Sequence, residues 1–134
     1  MRKFSLKILY LTFLLILSPL SLAEGYADSL KIGFGSCIDE TKPQPIWEAV
    51  EKENLNDFFF VGDNVYGDLD SGELSNMGPA YEKQKENFPN WLKNLKPLAI
   101  WDDHDYGLND GGSEYTLKKE AQKLFLDFWN IDRK

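Results

Sequence analysis

The chain has 134 residues, 43% of them hydrophobic and 28% charged, with nine Phe, six Tyr and four Trp; this suits one domain or a piece of one and excludes a disordered chain. Its formal net charge of −7 disfavours nucleic acid and anionic membranes as partners. The single cysteine, Cys37, excludes an internal disulfide, so the thiol is free, intermolecular or metal-bound.

Residues 1–23 read as a signal peptide. Arg2, Lys3 and Lys7 form a basic start, Ile8 to Leu17 an apolar run, and Ser21-Leu22-Ala23 places small residues where a signal peptidase cuts, before Glu24. The run is shorter than the ~20 residues of a spanning helix. Cleavage is therefore expected rather than anchoring, with an exported, periplasmic or extracellular product that keeps no membrane attachment. Taking three cations from the 15 Lys and Arg leaves 12 against 22 Asp and Glu, a net of −10 for residues 24–134. Arg2 and Arg133 are the only arginines. An anionic substrate would then be held by something other than guanidinium groups, and metal ions are the obvious means.

Leu30 to Phe34 alternates around Gly33 and predicts a strand running into Gly35-Ser36-Cys37. Ile46, Trp47, Ala49 and Val50 form a helical stripe, with Pro45 near its start, where proline is tolerated. The continuous run Phe58 to Val61 predicts a strand buried on both faces, ending at Gly62-Asp63. Residues 67–79, rich in Gly, Asp and Ser, read as a long loop. Tyr81, Phe88, Trp91, Leu92 and Leu95 fit a helical stripe broken at Pro89, and Leu98 to Trp101 predicts a third buried strand ending at Asp102. Leu117, Ala121, Leu124, Phe125 and Phe128 form the clearest amphipathic helix. Strand and helix alternate three times, which is an α/β pattern with a parallel sheet.

Each strand thus ends in a polar loop, and ligands of open parallel sheets bind beyond the carboxyl ends of the strands. Asp63 follows its strand directly, and Tyr66, three residues on, can bring a phenolate to the same ion; that pairing suits a hard, highly charged cation. No calcium-binding EF-hand pattern starts at Asp63 or Asp68. In Asp102-Asp103-His104-Asp105, three carboxylates surround the only histidine, an arrangement that repels itself without a cation. Asp102 or Asp103 would ligate, and His104 would act as acid or phosphate donor with Asp105 orienting it. Cys37 is no cysteine-phosphatase nucleophile, because Pro43 stands where that loop needs arginine. Gly33-Phe34-Gly35 is half of a dinucleotide fingerprint, but Ile38 replaces its third glycine.

Taken in order, FGSC, VGDNVYGD and WDDHDYGLND resemble the PhoD-like alkaline phosphatase/phosphodiesterase family of the metallophosphatase superfamily, over roughly residues 30–130. The resemblance implies a ferric ion on Cys37, Asp63 and Tyr66, with Asp63 bridging to calcium or another divalent ion. Asp103 stands where most members of the superfamily carry a metal-binding Asn, and His104 in the place of their catalytic His. Asn64 and Asn109 lie in the same motifs, with roles in metal or substrate binding left open. The implied reaction is hydrolysis of phosphate mono- or diesters, with the two ions polarising the attacking water and His104 aiding the leaving group. The implied fold stacks two sheets between helices, and further His and Asp ligands come from its second half. Residues 24–134 are accordingly expected to be an N-terminal part, completed by a missing C-terminal half. Two other readings compete. One is an exported metal- or phosphate-binding module without turnover. The other is a haloacid-dehalogenase-like phosphatase using Asp103 and Asp105, which Tyr106-Gly107 disfavours.

Overall fold

The structure, a computed structural model, describes residues 29–131; the expected signal peptide lies outside them. The elements run β1 (Ile32–Gly35), α1 (Ile46–Glu51), β2 (Asp57–Val61), α2 (Met77–Asn87), α3 (Asn90–Leu95), β3 (Leu98–Ile100), α4 (Asp103–Tyr106) and α5 (Lys118–Phe128). The three strands form one parallel sheet in the order β1-β2-β3. Phe34 lies beside Phe59, and Phe59 beside Leu98. The α/β pattern with a parallel sheet is therefore present.

Strand pleating sends Phe58 and Phe60 to one face of β2 and Phe59 and Val61 to the other. On the first face, Gly33 and Gly35 of β1 make room for a ring. A Cβ on Gly33 would come within 2.6 Å of Phe58, and one on Gly35 within 2.9 Å. Trp47 of α1 meets Phe58, Phe60 and Phe88 edge-on at centroid distances of 5.7, 6.0 and 5.8 Å. Leu92 of α3 completes this core, while Val65, Met77, Ala80, Tyr81 and Phe125 form a second one beneath the long loop. Pro89 separates α2 from α3, as its missing N–H requires.

Three local expectations are corrected. The strands are buried on one face only: Val61, Leu98 and Ile100 are exposed, because the buried helix side chains gather on the Phe58 and Phe60 side. The segment 67–79 ends in a helix, since α2 begins at Met77. The acidic loop after β3 coils into α4. Asp102 and Asp105 close a capping box on each other's backbone, and Gly107, at φ 99, stops the turn. Among the described residues, no helix is long and apolar enough to cross a membrane.

Candidate metal centre

The three strand ends are tied side by side by backbone and side-chain bonds. Cys37 N–H donates to the Gly62 carbonyl (3.3 Å), and Ile38 N–H to that of Asp63 (3.0 Å). Asn64 is fully buried; its Nδ2 donates to the Ile100 carbonyl at the end of β3 (3.0 Å) and to Asp105 Oδ2 (2.8 Å). Gly62, at φ 105, allows the closest approach. A Cβ there would lie 2.6 Å from that of Asp102.

These ties bring the expected metal ligands to one rim. Asp63 Oδ2 accepts from the Tyr66 hydroxyl (3.1 Å) and from the Cys37 thiol (3.5 Å). Asp63, Asp103 and His104 each offer a ligand atom, all within 4.8 Å of one another. Asp63 belongs to both groupings. Its backbone, like that of Cys37, lies in the left-handed region, at φ 48 and 56, a conformation that non-glycine residues adopt at a cost and that clusters at functional sites.

Two oxygens beside the Asp63 cluster are buried without a donor and could accept a cation. Among the described residues only three buried side-chain polar atoms lack a partner, and two, Asp63 Oδ1 and Asn64 Oδ1, are here. A buried oxygen without a donor is costly, and a bound ion would satisfy it. Burial, then the contacts with Cys37 and Asp63, push the Tyr66 phenol well above its ordinary range. A phenolate at this position would need a cation to displace the proton. Thiolate, phenolate and shared carboxylate are donors that fit a trivalent ion beside a second, oxygen-preferring one.

Asp103 keeps a place at the rim as well: its Oδ2 accepts from Asp110 N–H (2.7 Å). That bond, outweighing burial, holds its pKa below the usual value, so it is ionised and available. The residue that orients His104 is Asp68. His104 Nδ1–H donates to Asp68 Oδ1 (2.8 Å), while Asp68 Oδ2 accepts from Asn109 N–H (3.0 Å). Burial works against the imidazolium. The Asp68 bond and the charges of Asp68, Asp63 and Asp103 outweigh it and raise the His104 pKa.

Asp105, expected as the acid behind His104, does something else. It is fully buried and accepts from Asn64 N–H and Nδ2, Asp102 N–H and the Tyr81 hydroxyl. Burial raises its pKa to about 6, against the pull of those donors. Asp105 is thus the clamp that locks the β2 and β3 loops together. Asp102 is exposed and caps α4 through Asp103 N–H (3.0 Å), without joining the ligand cluster. The Asn109 side chain donates to Asp110 (3.1 Å), and only its backbone reaches the site, through Asp68. A further tie that the sequence did not reveal is Glu40, buried, whose carboxylate accepts from Tyr66 N–H (2.9 Å) and sets that turn.

No family model, curated protein or solved structure matches the chain.

Proposed function

We propose that the chain supplies the iron-binding part of an exported, dinuclear phosphoesterase of the PhoD-like kind, acting on phosphate mono- or diesters. One observation carries this reading. A single carboxylate, Asp63, faces a thiol and a phenol through one oxygen, holds a partnerless buried oxygen on the other, and shares a 4.8 Å cluster with Asp103 and His104. Cys37, Asp63 and Tyr66 would hold a ferric ion. Asp63 and Asp103, aided by Asn64 Oδ1, would contribute to a site for calcium or another divalent ion. When bound, such ions polarise water and phosphoryl oxygens.

The chain's own residues do the rest. His104, fixed through Nδ1 by Asp68, keeps Nε2 for delivering a proton to the leaving-group oxygen. Its raised pKa keeps the proton on it at neutral pH more than for a free imidazole. Asn64 and Asp105 keep the loops in register. Among the described residues the rim presents acids and no arginine, so the substrate anion would be drawn in only once cations are bound. A further set of ligands from a second half of the domain would complete the divalent site.

Reconstitution with ferric iron tests this. A visible ligand-to-metal band that shifts on adding inorganic phosphate is the expected result. A band indifferent to phosphate would favour the binding-module reading, and no band at all would end the iron assignment.

A further inference from the structure

Tyr66 stands in a stretch of chain that belongs to no helix or strand yet is walled in on both sides. Val65 is fully buried, and Gly67 is pressed so closely on α2 that a Cβ there would lie 2.6 Å from that of Ala80. A backbone N–H in such a place has no ladder partner and needs an acceptor from elsewhere. The acceptor is Glu40, 26 residues back in the chain, whose Oε2 takes the Tyr66 N–H at 2.9 Å.

Burying a carboxyl side chain is unfavourable unless it is paired or hydrogen-bonded. Glu40 is 3% exposed, and among the described residues no cation pairs with it, since Lys42 pairs with Asp39 at 2.7 Å. Its place is nonetheless fixed from outside. The Glu40 carbonyl accepts from Asn87 Nδ2 (2.8 Å), at the last residue of α2. Gln44 and the fully buried Gln84 exchange amide bonds of 2.8 and 3.1 Å between the same loop and the same helix. The loop after β1 is thus clamped on α2, while the Glu40 side chain turns back to the loop after β2. What that bond governs is the phenol. The Tyr66 hydroxyl donates to Asp63 Oδ2 at 3.1 Å, and its ring centroid lies 4.3 Å from that of His104.

We propose that Glu40 is a positioning residue for Tyr66: by holding the Tyr66 N–H, with Asn87 bracing Glu40 in turn, it keeps the phenol oxygen on Asp63 and the ring against His104. The bond needs an acceptor oxygen at that reach and not a charge. A neutral amide of the same length therefore serves, and a shorter carboxylate does not. The consequence for metal binding rests on the ferric reading given above. A phenol already in place loses less freedom on becoming a ligand, and groups that orient metal ligands are worth ~10–100-fold in affinity.

NMR of the full chain without metal tests the placement by itself. The Tyr66 amide should exchange slowly, and the Tyr66 ring should show a nuclear Overhauser contact to the imidazole of His104, the only histidine. Both signals should persist in Glu40→Gln and disappear in Glu40→Asp and Glu40→Ala. Ferric iron then gives the second readout. Affinity should fall ~10–100-fold in Glu40→Asp, with a weaker visible band per bound iron, and return in Glu40→Gln. Asn56→Ala removes a tie at the other end of the sheet, where Asn56 Oδ1 accepts from Lys31 N–H at 2.8 Å, and should cost stability without moving either readout. A freely exchanging Tyr66 amide in the unmutated chain overturns the proposal, whether or not the variants fold. So does an intact ring contact in Glu40→Asp, its loss in Glu40→Gln, or an equal loss in Asn56→Ala. If the contact behaves as expected but no variant, nor the unmutated chain, binds iron, the positioning role stands and the ferric reading fails.

Discussion

Asp63 is held at a positive φ, with one oxygen between a thiol and a phenol and the other buried without a donor. On the proposed reading, cation binding would resolve that conflict only by displacing protons, because Tyr66 keeps its own to well above the usual phenol range. Ferric affinity should therefore rise with pH. In Tyr66→Phe, the proton release on metal addition should fall by about one and the visible band should weaken sharply; unchanged release and colour would remove Tyr66 from the ligand set. His104 gives a second residue-scale prediction, and as the only histidine it gives a single imidazole resonance to follow. Its folded pKa is raised, so the Asp68–imidazolium contact contributes stability that is complete below the ordinary value of about 6.5 and fades as pH rises through the folded value. Asp68→Asn should lower the NMR titration midpoint and flatten that part of the stability curve. An unmoved midpoint would mean that Asp68 does not hold the ring. The sequence made Asp63, Tyr66 and His104 legible, through their positions after apolar runs. It misled over Asp105, because adjacency to His104 suggested contact. Once Asp103–Tyr106 is a helix, neighbouring side chains point apart, and the orienting acid has to come from another loop.

At the scale of elements, the helices and strands were readable where apolar residues follow a clear period, and the break at Pro89 fell where expected. What a run such as Phe58 to Val61 cannot disclose is whether both of its faces have a neighbour, since that depends on where the crossover helices settle. The helix after β3 did leave a signal, the Asp102/Asp105 capping box followed by Gly107. The element ends set the site's geometry, and Gly62 is the tightest point between β2 and β3. Ala at φ 105, with its Cβ 2.6 Å from that of Asp102, should cost at least ~1–2 kcal/mol in urea unfolding and should reduce iron retention as the loops separate. Full retention would show that the approach is not needed. The clamp itself titrates. Asp105 has a folded pKa near 6, so the folded chain takes up a proton that the unfolded chain does not. Stability should increase as pH falls through about 6 towards the ordinary carboxyl value. Asp105→Asn lacks this response, so the stability difference between wild type and variant should shift in favour of wild type over that window. Parallel curves would place the titration elsewhere.

For the whole molecule, the decisive quantity is how many fixed ligands the rim offers. A dinuclear hydrolase holds its ions ~3.5–4 Å apart, each with enough donors to keep its geometry while phosphorus is attacked. Here Cys37, Asp63 and Tyr66 converge within hydrogen-bonding distances, which is a credible start for one ion. On the proposed reading, a second ion would have a share of Asp63, with Asp103 and the partnerless oxygen of Asn64. His104 is committed to Asp68 through Nδ1, and no other histidine exists in the chain. A divalent oxygen-preferring ion takes six or more ligands, so this site would keep mostly solvent and lose its ion readily. Among the described residues, Val61 and Ile100, which lead into the loops carrying Asp63 and Asp103, are exposed, which adds to the deficit. The chain assayed alone is therefore expected to retain about one iron, to bind calcium weakly, and to turn over neither an aryl phosphate nor an aryl phosphodiester. Metal analysis after gel filtration and a colorimetric assay check both halves of that statement. Turnover within about tenfold of a complete dinuclear phosphoesterase, abolished in Asp63→Ala, would show that the rim suffices by itself, with the second ion held by ligands that rearrange on binding.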